Sequence, residues 1–324
     1  MMFDMKYTYA VARLRALEVH LLSAANIDQL MACDSEESCL QLLTEKGWGD
    51  PQQELNADHM LQRETEKIWE TMDSMHVDMS VFDVLRYPDL YHNLKAAIKE
   101  ICREGHHPGI YMEKAAISGG EMEKILREKE YYRLPDHMQA VAREAYETLL
   151  HTRDGQLCDV IVDRACLEAI LRAGEKAETP LIREYAESTV AIANIKIAVR
   201  AQKTGKSEDF ARRAMAPCRT ISVEALAKAV VSGFEAICEC LTTFGYGECA
   251  EALRQSPSAF ECWCDNRVIA TIRPQKYEAS SIGPLVAYVL ARENEIKTVR
   301  IILSGKANNM PDEKIRERIR EMYV

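Results

Sequence analysis

The chain of 324 residues holds only 14 glycines and 10 prolines, too few to punctuate the many short strands and turns of an all-β fold. Alternating β-branched runs are scarce as well, so no strand is expected. No stretch of about 18 apolar residues is present to span a bilayer, and the opening MMFDMKYTYAVARLRALEV lacks the apolar run of a signal peptide. Positive charge is not in excess: 41 Lys and Arg stand against 51 Asp and Glu, a net charge of −10. That argues against a broad nucleic-acid surface, which needs clustered cations to neutralise phosphates. Eleven cysteines are an odd number scattered along the whole length, which fits reduced, mostly buried thiols in a cytoplasmic chain rather than a disulfide scaffold.

What is present is helical periodicity. With 47% apolar residues the chain can bury a large core and should divide into two or three domains. After Pro284, apolar residues fall at Leu285, Val289, Ile296, Val299 and Leu303, a rhythm of three and four with Arg292 in the missing slot. Ala186, Val190, Ala193, Ile197 and Ala201 share one face by the same rule, and so do Leu90, Leu94, Ala97 or Ile98, and Ile101. Each segment therefore predicts a helix with one packed face.

The three segments also share a signature. Asn93-Leu94-Lys95 is followed by Lys99 and Gly105, Asn194-Ile195-Lys196 by Arg200 and Gly205, and Glu295-Ile296-Lys297 by Arg300 and Gly305. A glycine at a helix end accepts the left-handed conformation that a Cβ resists, so Gly105, Gly205 and Gly305 read as helix caps. Each long helix is followed by a loop and a second helix headed by Ile117-Ser118, Ile221-Ser222 or Met310-Pro311, and Leu22-Ser23 does the same after the opening helix. The expectation is an all-α chain of three similar modules, 1–110, 111–215 and 216–324, with helices free to cross the boundaries.

Candidate chemistry is thin. Gly205-Lys206-Ser207 resembles the end of a phosphate loop, but the position five residues earlier is Arg200 in a helix, not a glycine after a strand. The pairs Lys95/Lys99, Lys196/Arg200 and Lys297/Arg300 read as cations complementing helix C-termini. Cys238, Cys240, Cys249, Cys262 and Cys264 include no C-x-x-C knuckle, so no metal is expected. His106-His107 reads as an exposed loop pair, and Asp159 with Asp163 as one of many carboxylate pairs that do not identify an acid/base site. Arg292, in an apolar seam, calls first for an internal ion pair with Glu295 or Glu293, and second for a role at a partner interface. No catalytic constellation emerges and no cofactor is implied. A solenoid-like adaptor that binds peptides along a groove is the alternative, against which stands a period near 100 residues, longer than such arrays use.

Several segments resemble the C subunit of the bacterial and archaeal V-type (V/A-type) ATPases, the relative of the d subunit of eukaryotic V-ATPases. They are TYAVARLRALEVHLLS with its Ala-Arg-x-Arg at Ala12 to Arg15, YHNLKAAIKE at 91–100, TVAIANIKIAVRAQKTGK at 189–206, and the stretch from Pro284 to the terminal Tyr-Val. Met322 departs from the pattern, where the family has Pro. The resemblance implies a non-catalytic, funnel-shaped protein of three helical modules about a pseudo-threefold axis, on the cytoplasmic side of the membrane. Its implied partners are the D and F subunits of the central shaft and the proteolipid rotor ring, with torque passing between them. Arg13, Arg15, Lys95, Lys99, Lys196, Arg200, Arg292, Lys297 and Arg300 become the candidates for partner contacts or for the signature of the repeat.

Overall fold

A computed structural model describes residues 6–52, 55–103, 107 and 109–324, and among them every regular element is helical. In chain order the α-helices are α1 (Thr8–Glu18), α2 (Ala24–Met31), α3 (Glu36–Glu45), α4 (Ala57–Asp73), α5 (Asp83–Arg103), α6 (Gly119–Glu128), α7 (Asp136–Thr152) and α8 (Gly155–Lys176). They continue as α9 (Pro180–Lys203), α10 (Glu208–Ala214), α11 (Val223–Ser232), α12 (Phe234–Thr243), α13 (Gly247–Gln255), α14 (Pro257–Ile272), α15 (Gly283–Ala307) and α16 (Asp312–Arg316). The chain forms two compact units: one takes residues 1–79, 179–182 and 248–324, the other 80–178 and 183–247. The first unit thus unites both ends of the chain.

In that first unit α15 is the central element, packed by α1, α3, α4 and α14. Its opening stretch PLVAYVLA is buried at every position, so the expected single packed face is replaced by burial on nearly all sides. The reason is local composition: eight successive apolar residues leave no polar face to turn toward water, and such a helix is stable only when covered all round. Solvent meets a narrow stripe further along, at Glu293, Lys297, Arg300, Ser304 and Ala307. After α16 the tail has no regular structure but is held by side chains: Asn294 Nδ2 donates to Glu321 O at 2.9 Å, and Glu321 N donates to Asn266 Oδ1 at 2.8 Å. Met322 and Tyr323 are buried by this docking.

In the second unit α5, α7 and α8 pack against one another. The α7–α8 turn is tight because Arg153 adopts φ +58° and Asp154 Oδ1 accepts the N–H groups of Gln156 and Leu157, closing one helix and capping the next. On α9 the buried face runs through Val190, Asn194, Ile195 and Ala198, while Ala193 and Ile197, expected inside, are half-buried. The packed stripe is therefore rotated by about one residue, which a sequence rich in alanine on several faces cannot reveal.

Ser23, Ser118 and Ser222 each accept an N–H of the following helix, from Asn26, Glu121 and Ala225 respectively. The three glycines do not share one role. Gly205 has φ +62°, and Lys206 N donates back to Ala201 O at 2.9 Å, a helix end closed through a left-handed residue. Gly305, by contrast, lies inside α15, which runs on to Ala307, and the left-handed residue there is Asn309 at φ +51°. Gly305 is needed for close packing instead, since a Cβ on it would meet Ile315 Cδ1 at 2.6 Å. Gly105 lies outside the described residues.

Alanine at Gly205 has free space around it and should lower stability by about 1 kcal/mol through backbone strain alone. At Gly305 it should lower stability by about 1–3 kcal/mol through overpacking. Trimming the neighbour with Ile315→Val should relieve part of the second loss and none of the first, as read from denaturant unfolding of the single and double variants.

Candidate functional site

The polar residues inside the long helices form a repeated device. Asn93, fully buried on α5, accepts from Met112 N at 2.8 Å and donates to Met112 O at 3.0 Å and Ile117 O at 3.1 Å. Asn194, fully buried on α9, makes the same reciprocal pair with Ala216, accepting from N at 3.1 Å and donating to O at 2.8 Å. Met112 stands six residues ahead of the capping Ser118, and Ala216 six ahead of the capping Ser222. The carboxamide thus pairs both groups of one peptide residue in a connector that has no helix or sheet to satisfy it. Ala216 is fully buried, and each of its groups left unpaired would cost about 1–3 kcal/mol, whereas Met112 is exposed and its pair is only partly buried. Glu187 supports the second connector further along, accepting from the N–H groups of Arg219 and Thr220 at 2.7 and 2.8 Å.

The third copy of the signature carries Glu295 in place of asparagine. Its Oε1 accepts from Leu22 N at 2.5 Å, and Leu22 directly precedes the capping Ser23. The connector held by Glu295 is therefore the one near the chain's beginning, not one that follows α15.

A carboxylate needs a counter-ion where an amide does not. Arg292 supplies it: Nη1 donates to Glu295 Oε2 at 2.5 Å, and Nη2 donates to Glu64 Oε2 on α4. The guanidinium also lies over the Trp48 ring, 5.0 Å from its centroid. Exposures of 7% for Arg292, 2% for Glu64 and 1% for Glu295 make this an interior network. Glu64 Oε1 completes it by accepting from Gly49 N at 2.8 Å and pairing with Lys67 at 2.7 Å, so that two cations face two anions. Burial pushes the Glu295 carboxyl up to about 7, against the opposing pull of Arg292 and the Leu22 N–H. Glu295, one of the two expected partners, is engaged, and Glu64, 228 residues away in sequence, is the partner that spacing could not indicate.

The other candidate cations do not gather into one cluster. Arg13 donates to Ser74 O at 2.8 Å at the end of α4, and Arg15 pairs with Glu18 at 2.7 Å and donates to the carbonyls of Gln275 and Glu278 at 2.6 Å. Lys95 and Lys99 on α5 reach Asp163 and Asp159 on α8 at 2.7 and 2.5 Å, which is the use found for that carboxylate pair. Lys297 pairs with Asp265 of α14 at 2.6 Å. Lys196 is half-buried, while Arg200 and Arg300 stand exposed.

With this geometry in place, the comparisons with known proteins are decisive. The family described as ATP synthase (C/AC39) subunit matches residues 10–318. The chain belongs to that family. It is similar to the C subunit of the V-type sodium ATPase of Enterococcus hirae, 22% identical over 330 residues that cover 98% of this chain and 99% of the relative. For an ATP synthase C/AC39 chain the remaining motifs read plainly. Gly205-Lys206-Ser207 forms a helix end and the N-cap of α10, where Ser207 Oγ accepts from Phe210 N. Cys238 and Cys240 belong to one compact unit and Cys249, Cys262 and Cys264 to the other, and none of the five is joined in a disulfide. His107 pairs with the buried Glu100 at 2.6 Å, and His106 lies outside the described residues. No described helix is long and apolar enough to cross a membrane.

Replacing Arg292 with methionine leaves two buried carboxylates without their shared cation and should cost about 3–5 kcal/mol in unfolding free energy. Adding Glu64→Gln and Glu295→Gln should return a substantial part of that loss; a triple variant no better than Arg292→Met would contradict the ion-pair account. The pH dependence has a definite sign. A carboxyl raised on folding holds its proton more tightly in the folded chain, so its contribution is complete below the ordinary value of 4.5 and is lost as pH rises through about 7. Stability should therefore fall from about pH 5 to about pH 8, and Glu295→Gln should flatten that slope. An unchanged slope would show that other groups produce it.

Proposed function

We propose that this chain is a non-catalytic central-stalk component of a rotary V-type ATPase or ATP synthase, joining the D and F subunits of the shaft to the membrane rotor ring. The observation that carries the reading is the end-to-end likeness to the C subunit of a V-type sodium ATPase. Coupling of this kind asks for a body that transmits torque without yielding, and close-packed interiors transmit strain. The buried side chains that clamp irregular connectors, Asn93, Asn194 and Glu295, support that reading, because each removes a place where the chain could hinge.

The same three residues support three equivalent modules about a pseudo-threefold axis in a funnel. The long helices of modules 1–110 and 111–215 each hold the start of the connector that leads into the next module, at Met112 and at Ala216. The third, 216–324, is completed by the N-terminal connector at Leu22. Arg200 and Arg300, exposed at matched positions of the repeat, are the candidates for partner contacts. The protein would lie on the cytoplasmic face of the membrane, held there by the ring and not by a span of its own.

A tagged chain should be recovered from its native membranes, after gentle solubilisation, together with an ATPase head and a proteolipid ring. Recovery of neither would sink the proposal. Purified alone, the chain should hydrolyse no ATP.

A further inference from the structure

The second unit presents a groove of about 930 Å³ along the outer side of the α7–α8 hairpin. Its floor is apolar, formed by Val141 of α7 with Ile161, Ala165 and Ala169 of α8. At one end Tyr87 and His137 close the floor, with ring centroids 4.7 Å apart and His137 Nδ1 bonded to Tyr91 Oη at 2.9 Å. Val141 and Ala169 are buried, Ile161 and Ala165 stay half-buried, and Arg213 of α10 also lines the groove.

The two walls differ in charge. The α7 wall carries Asp136 and Glu144, about two turns apart on a single face. The α8 wall carries Arg172 and Lys176 at its C-terminal end, while Arg164 and Glu168 further along pair with each other at 2.9 Å. Because the two-residue turn makes α7 and α8 antiparallel, the start of α7 lies beside the end of α8. Asp136 therefore faces the side of the groove opposite Arg172 and Lys176, and the groove is polar across its width.

The dimensions fit one helix. From Asp136 to Thr148 the α7 wall extends about 18 Å at 1.5 Å per residue, and a helix of that length and about 10 Å in diameter occupies roughly 1,400 Å³. A groove of about 930 Å³ takes more than half of it. The alanines of the floor and rim, Ala140, Ala165 and Ala169, let a backbone approach at the 8–10 Å spacing of packed helices. A second copy of this chain fits less well, because it would offer a groove to a groove and leave the space between them unfilled.

We propose that the α7–α8 groove seats a single amphipathic helix of a partner protein, with about three turns of apolar residues on the floor, a basic flank against Asp136 and Glu144, and an acidic flank against Arg172 and Lys176. This rests on the reading of the chain as part of a rotary ATPase, which would supply the partner.

The test uses the assembled ATPase purified from native membranes, with the chain carrying a photo-crosslinking amino acid at Ala140 or Ala165, and at Glu175, exposed on α8 outside the groove, as control. Illumination and peptide mapping should join both groove positions, and not Glu175, to one segment of one partner protein. That segment should have apolar residues at helical spacing between an acidic and a basic flank. Reversing the wall with Arg172→Glu and Lys176→Glu should lower the crosslink yield about tenfold, since like charges then face each other, and reversing the acidic flank of the partner should restore it. Both wall residues are exposed, and circular dichroism of the variant should match the parent. Four outcomes overturn the groove proposal while leaving the ATPase reading intact: no crosslink from a chain present in the complex, a crosslink to a second copy of this chain, a segment without that pattern, or a yield indifferent to charge reversal. Absence of the chain from the purified ATPase overturns both.

Discussion

Glu295 accepts the N–H of Leu22 with one oxygen and holds the guanidinium of Arg292 with the other, and much of the first compact unit is organised around that carboxylate. The constraint behind it is general: irregular backbone that is buried must find partners, since neither a helix ladder nor water is available to it. On α5 and α9 an asparagine meets that demand without charge. On α15 a glutamate does so, and its charge then requires Arg292, Glu64 and Lys67 in turn. One substitution in the repeat thus accounts for a four-residue network.

Much of the helical order was open to reading from the residues. The serine caps follow from local chemistry within three residues, and local rules are what a sequence states most directly. The recurrence of Asn93, Asn194 and Glu295 was also visible, but its role was not, because the connectors they hold are recognised only by their position in space. Arg292 announced itself as a charge in an apolar seam, and Glu295 lay within one turn of it. Glu64 and Trp48 could not be inferred, for no spacing rule links residues separated by more than 200 positions. Gly305 shows the opposite failure: a regular interval suggested a cap, whereas packing against Ile315 sets the residue. Repetition in sequence identified the place and tertiary context assigned the duty.

Membership in the ATP synthase (C/AC39) subunit family gives these details a common sense. This chain directs Asn93, Asn194 and Glu295 at its own backbone and several of its candidate cations at its own carboxylates. Lys95, Lys99 and Lys297 brace neighbouring helices, and Arg15 braces a turn. Such pairs at partly exposed positions contribute little each to stability, but they fix the register of one helix against the next.

The pairing of both chain ends in one unit also sets an order in time. Glu64 leaves the ribosome 228 residues before Arg292, an interval of about 11 to 46 s at ordinary rates of synthesis. Throughout that interval the N-terminal helices hold a carboxylate destined for the interior without its cation, and the apolar faces destined for α15 have nothing to close on. The second unit, drawn from the middle of the sequence, can meanwhile complete its contacts. Folding of the first unit is thereby tied to synthesis of α15, so that a product truncated before Arg292 cannot present a finished first unit for assembly.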